Sequence, residues 1–180
     1  MKKKNFTLVE LLCATALVAI LAGIGFSAYS YASHRGKEAA TKSLIATISA
    51  GLESVKNKHS IFPASSNFAD ITVTVQNSTG IINEVKFGTT ALTDKQRKDF
   101  LAVVDGELLK KYISNDKVTD AWGGAIQYKY PGAINTVKFD IVAPGPDEFF
   151  GNNETATPPT TIAGYKDNDE WNCDDIANFQ

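Results

Sequence analysis

Cysteine, histidine and methionine are scarce in this sequence, at two, two and one among 180 residues. Cys13 lies inside an apolar run and Cys173 near the far end, so there is no CxxC or Cys/His spacing of a zinc site. With the run in a bilayer and the rest outside it, the two cannot approach within disulfide range, and both are read as unpaired thiols. Neither His34 nor His59 stands beside a Cys or Ser in a nucleophile motif, and no glycine-rich phosphate loop occurs. The chain is not expected to be an enzyme. An excess of charge of either sign is also missing: the formal net charge is -2, and the lysines and arginines beyond the first few residues are scattered. No basic stripe is left to bind nucleic acid.

What the sequence does have is one long apolar run, in "KKKNFTLVELLCATALVAILAGIGFSAYSYA". From Leu11 to Ala32 no residue carries a formal charge, and as a helix that length covers the roughly 30 Å of a hydrocarbon core. The lysines at 2 to 4 precede it, which predicts a cytoplasmic N-terminus with the rest of the chain across the membrane. A secretory signal has a shorter apolar core followed by a small-residue cleavage site, and neither feature is found here. Beyond Ser33, Leu44, Ile45, Ile48, Leu52 and Val55 recur at helical spacing, so the helix continues with one apolar face to about Lys58, and Pro63 is its latest end. Gly23, Gly25 and Gly36 are its weak points. Glu10 is the anomaly, an acid at the hydrophobic edge, where burial in lipid costs up to about 2.5–3.5 kcal/mol unless a partner is supplied.

The remainder reads as mixed. "ITVTVQ" and "IINEVKF", joined by "NSTG", form a predicted hairpin. Thr93 with Gln96 is a capping-box start, and Phe100, Leu101, Val104, Leu108 and Tyr112 predict one helix over about 94–113. "AIQYKY" and "TVKFDIV" form a second hairpin with Ile126, Tyr128 and Tyr130 facing Val137, Phe139 and Ile141. The second half of the long helix is the natural cover for that face. The expected fold is α+β, a long N-terminal transmembrane helix continuing into a soluble domain and packed on a small antiparallel sheet.

Residues 147–175 hold Asp147, Glu148, Glu154, Asp167, Asp169, Glu170, Asp174 and Asp175 against one cation, Lys166. Solvated surface is the ordinary reading of such a loop. The density of hard oxygen donors also suits Ca2+, although the spacing is not that of an EF-hand.

"FTLVELL" behind lysines resembles the N-terminus of type IV prepilins and of the pseudopilins of type II secretion. The resemblance implies that a prepilin peptidase cuts between Asn5 and Phe6, that the Phe6 amine is then methylated, and that Glu10 pairs with the N-terminal amine of a neighbouring subunit. Asn5 stands where the family usually has Gly. "DAWGGAIQYKYPG" and "FDIVAPGPDEFFG" are similar to runs of the major pseudopilins within that superfamily. There the family holds Ca2+ in the corresponding loop, which implies Asp147, the Pro144 carbonyl and Asp174 or Asp175 as ligands here, with Asp167 and Asp169 in reserve. Glu148 replaces the family's usual Gly.

The resemblance divides the chain into a leader (1–5), a transmembrane half-helix (6–32), an amphipathic half-helix (33–62), a region of its own (63–115) and a hairpin with the acidic loop (116–180). It implies a structural subunit of a type II secretion pseudopilus, anchored in a bacterial inner membrane with its C-terminal domain periplasmic. Its expected partners are other copies in a helical homopolymer, the prepilin peptidase, the minor pseudopilins and the inner-membrane assembly platform. The rival readings are a type IV pilin for adhesion, motility or DNA uptake, and a monomeric membrane-tethered binding protein.

Overall fold

The computed structural model describes residues 7–76, 78–151, 155–167, 170–171 and 174–179. It divides into two compact units, Met1–Lys37 and Glu38–Gln180. One helix, α1 (Leu8–His59), contributes to both.

In the first unit every described residue is exposed, including Leu8, Leu11, Leu12, Leu17, Ile20, Leu21, Ile24 and Phe26. Its best 18-residue window has a mean hydropathy of 2.3, long and apolar enough to cross a membrane. An apolar surface of this extent is not tolerated in water. Together with the sequence motif, it marks the segment as a membrane anchor.

In the second unit α1 turns amphipathic. Thr41, Leu44, Ile45, Ile48, Gly51, Leu52 and Val55 are buried at spacings of three and one, a single helical face. The described residues form ten strands, eight of them in the sheet beneath and two in a separate ribbon. They are β1 (Ser65–Val75), β2 (Ile82–Phe87), β3 (Thr90–Ala91), β4 (Ile113–Ser114), β5 (Lys117–Val118), β6 (Gln127–Tyr130), β7 (Asp140–Ala143), β8 (Lys166–Asp167), β9 (Glu170–Trp171) and β10 (Ile176–Ala177). The main path runs β10-β7-β6-β1-β2-β3, with β5 beside β1, β4 beside β5, and β8-β9 apart as a small ribbon. Its neighbouring strands pair antiparallel.

Both expected hairpins form. Val73 faces Val85 in the first and Tyr128 faces Ile141 in the second. They lie side by side because the N-terminal part of β1 also pairs with β6, Ser65 opposite Tyr130. The expected cover is also found: Leu44, Ile45, Ile48, Leu52 and Val55 share one core with Val73, Phe87, Tyr128, Phe139 and Ile141.

Two details differ from expectation. The helix read over 94–113 is broken into α2 (Asp94–Leu101) and α3 (Gly106–Lys110), because the Asp105 carboxylate accepts from the Glu107 amide and caps a new helix. Val137 does not face the core but is 83% exposed, since β7 begins only at Asp140. All four β7 residues are nonetheless buried. Ile141 and Ala143 join the α1 side, while Val142 joins Phe150, Tyr165 and Ala177 on the other face. The C-terminal segment therefore covers the face of the sheet that α1 does not.

Candidate functional site

Two places carry the sequence-level candidates, one in each unit. At the start of α1, Asn5 and Phe6 lie outside the described residues, but Thr7 and Glu10 do not. The Glu10 carboxylate accepts from the Thr7 amide at 2.8 Å and from the Thr7 hydroxyl at 2.9 Å, and the Glu10 amide donates to the Thr7 hydroxyl oxygen at 3.2 Å. This is a reciprocal capping box, in which a Thr and a Glu three residues on satisfy two amides that the first turn leaves open. The sequence reading treated Glu10 as an acid waiting for a cation and missed its local partner, although T-x-x-E is the signature of that box.

In the second unit the acidic loop is built on the end of β7. After Ala143 the chain makes a 3-10 turn, Gly145–Asp147, with Pro144 at its N-cap. Gly145 adopts φ +77, and a Cβ there would lie 2.5 Å from the Asp174 carbonyl oxygen, so only glycine lets the turn meet the C-terminal segment. Asp147 and Asp174, 27 residues apart in sequence, come together here, the Asp147 amide donating to Asp174 Oδ2 at 3.2 Å. Asp147 Oδ1 accepts from the Phe149 amide at 2.9 Å. Burial, and after it the negative charge of Asp147, push the Asp174 carboxyl above its ordinary range. Glu148 takes φ +64, the left-handed conformation that favours the glycine it replaces.

Asp175 points elsewhere: it is 2% exposed and accepts from the Gly151 amide. Asp167 lies in β8, its side chain outside the described set, and Asp169 is outside the described residues altogether. Among the described residues no three His, Cys, Asp or Glu side chains gather as a metal-binding group. The pair Asp147 and Asp174 fits a hard cation all the same. Two carboxylates held together raise one another's cost, a divalent ion removes it, and the Asp174 carbonyl oxygen packed against Gly145 is a further oxygen donor beside them.

The residue that the sequence reading did not single out is Asp120, in "DAWGG". It is 3% exposed. Its Oδ1 accepts from the amides of Trp122, Gly123 and Gly124, each at 2.9 Å, and its Oδ2 accepts from the Gly145 amide at 3.0 Å. Burial pushes its carboxyl up, against the opposing pull of those four amides. A Cβ on Gly124 would meet Pro144 Cγ at 2.4 Å, which accounts for the second glycine of the motif. The readable signal was an Asp followed by two glycines, an Asx-turn pattern.

A family model described as Type II secretion system (T2SS), protein G matches residues 84–158, and one described as Prokaryotic N-terminal methylation motif matches residues 2–26. The chain is a pseudopilin of type II secretion. The first match spans β2 to the start of the acidic loop and includes the Asp120 turn, the second hairpin and Asp147. The second spans Glu10 and most of the exposed apolar part of α1. This pseudopilin family is structural, and membership sets the chain in the assembly of a type II secretion pseudopilus. No curated protein and no solved structure gives a significant match.

Proposed function

We propose that this pseudopilin inserts with its N-terminus cytoplasmic and its α+β domain periplasmic, is cut between Asn5 and Phe6, and polymerises into a helical homopolymer that drives protein export. The prepilin peptidase, the minor pseudopilins and the inner-membrane assembly platform are its partners in that scheme, and its role is structural rather than catalytic. The observation that carries this reading is Glu10. It is the one formal charge between Lys4 and His34, at the head of a helix whose apolar residues are all exposed through Tyr31. Such an acid is costly in lipid and useful where a neighbouring subunit brings a cation.

Ca2+ belongs to the same reading. Asp147 and Asp174 would hold it with backbone carbonyls, that of Pro144 among them, while Asp175 braces the loop at Gly151. The ion would neutralise the paired carboxylates and fasten the C-terminal segment to the end of β7, coupling loop order to cation supply.

The test is to express the full chain with a type II secretion apparatus that lacks its own major pseudopilin, then shear and collect surface filaments. Filaments built of the chain, with Phe6 as their first residue by mass spectrometry, are expected. A membrane protein that keeps residues 1–5 and stays monomeric would overturn the proposal.

A further inference from the structure

Asp120 is a buried carboxylate to which the pseudopilin reading assigns no task. It bonds across two loops. Three of its four hydrogen bonds close its own turn, and the fourth reaches 25 residues along the chain to Gly145, the first residue of the 3-10 turn that carries Asp147. The turn around Asp120 is itself fixed on α1, because the Ala121 amide donates to the Thr41 hydroxyl oxygen at 3.1 Å and Thr41 is wholly buried. A continuous path of hydrogen bonds thus runs from the core face of α1 through Thr41, the 120–124 turn and Asp120 to the loop where Asp147 meets Asp174.

We propose that Asp120 is a positioning residue for the Asp147–Asp174 cation site. It holds the Gly145 amide, and with it the 3-10 turn, at the orientation that presents Asp147 to Asp174. It contributes no ligand. The inference rests on the Ca2+ reading above and adds how the site is held. Carboxylates that orient the ligands of a metal, without touching the metal, typically change its affinity by 10- to 100-fold when altered.

The geometry names the informative variant. In Asp120→Asn the side-chain oxygen can keep the three amides of its own turn, but an NH2 replaces the acceptor that Gly145 uses. The control is Asp140→Asn. Asp140 is equally buried and accepts from the Ile134 and Asn135 amides at 2.7 and 3.0 Å, with no bond to residues 144–148.

The experiment is a calorimetric Ca2+ titration of the full chain in detergent, with the thermal midpoint measured in chelator. For Asp120→Asn, Ca2+ affinity is expected to fall about tenfold. For Asp140→Asn, the chelator midpoint should fall and the affinity stay unchanged. Equal affinity in wild type and Asp120→Asn, or equal affinity losses in both variants, would overturn the positioning role. Should Asp120→Asn fail to fold, Thr41→Val replaces it, with a two- to fivefold affinity loss expected and none overturning the proposal. A wild-type chain with no Ca2+ heat and no Ca2+-dependent midpoint would instead overturn the cation site itself, and this inference with it. Amide exchange at 145–149 in chelator, expected to be faster in Asp120→Asn, shows in that case whether Asp120 still orders the turn.

Discussion

The Glu10 carboxylate accepts both the amide and the hydroxyl of Thr7, so the acid at the head of α1 is satisfied by its own helix. Both residues follow the proposed cut, and the box survives processing. Capping and intersubunit pairing therefore make separable demands on one side chain.

Glu10→Gln separates them. A Gln at this position still completes a capping box, so the start of the helix and membrane insertion should be unchanged. Filament yield in sheared fractions should fall about tenfold or more, the effect of losing an ion pair worth about 1.4 kcal/mol. Thr7→Val should do the reverse, fraying the first turn at a cost of about 0.5–2 kcal/mol and leaving the charge in place. Filaments of Glu10→Gln at wild-type yield would remove the charge from the account.

Asp147→Ala should lower stability only where Ca2+ is present. With free ion at 10 to 100 times its dissociation constant, binding stabilises the native state by about 1.4–2.7 kcal/mol. For a domain of this size that raises the thermal midpoint by about 3–10 °C. The variant should lose that rise and in chelator be no less stable than wild type, since removing the carboxylate also relieves the repulsion on Asp174. An equal loss in chelator would mean that Asp147 serves the fold and not a cation.

Asp174→Asn should act with opposite sign in the two conditions. A carboxyl whose native value is raised is charged at neutral pH against an opposing environment. Its contribution is favourable below the ordinary value of 3.8 and is lost as pH rises through the raised value. Removing the charge should therefore raise the midpoint in chelator at pH 7 while abolishing the response to Ca2+. A fall in chelator would show that the hydrogen bond from the Asp147 amide outweighs the repulsion.

Asp99 gives the acid limb of stability. Hydrogen bonds from Lys58 and His59, at the end of α1, hold its carboxyl below 3.8. A lowered acid stabilises above the unfolded value and loses that contribution as pH falls through its native value. Asp99→Asn should have a lower midpoint than wild type near pH 6, with the two curves converging well below pH 3.8. Parallel curves across that range would contradict the link between α1 and α2.

Gly51→Ala tests the packing of α1 on α2. An added Cβ would lie 2.6 Å from Val104 Cγ2 and 2.7 Å from Phe100 Cδ2. Overpacking costs about 1–3 kcal/mol, and the better helix propensity of Ala returns about 1 kcal/mol at most. A net fall of a few degrees in the midpoint is expected. A rise would show that Phe100 swings aside freely.

The parts of this fold legible in the sequence were those with a period: the apolar face of α1, both hairpins and the capping box at Thr93. Periodicity could not show the break at Asp105, where one side chain outweighed a continuous apolar pattern by capping a new helix. Nor could it place β1 against β6, a pairing between segments that share no local signal. At the site, acid density marked only the loop over 147–175 and the family resemblance named Asp147 with Asp174 or Asp175 within it, whereas Asp120 went unread because an isolated carboxylate in a glycine turn carries no charge pattern. Its importance arises only when the fold brings Gly145 to it.

β1 gives the chain a problem of order in time. One of its edges closes at once on β2 through a short turn, but its other edge waits for β5 at Thr72 and for β6, whose Tyr130 lies far along the chain from Ser65. Short loops close early, and distant pairings set the rate of folding. Until β6 arrives, β1 is an eleven-residue strand with an open edge, the kind of template on which unfinished chains pair with one another. A newly made subunit should therefore be most prone to misassociation in the interval between its first hairpin and its second.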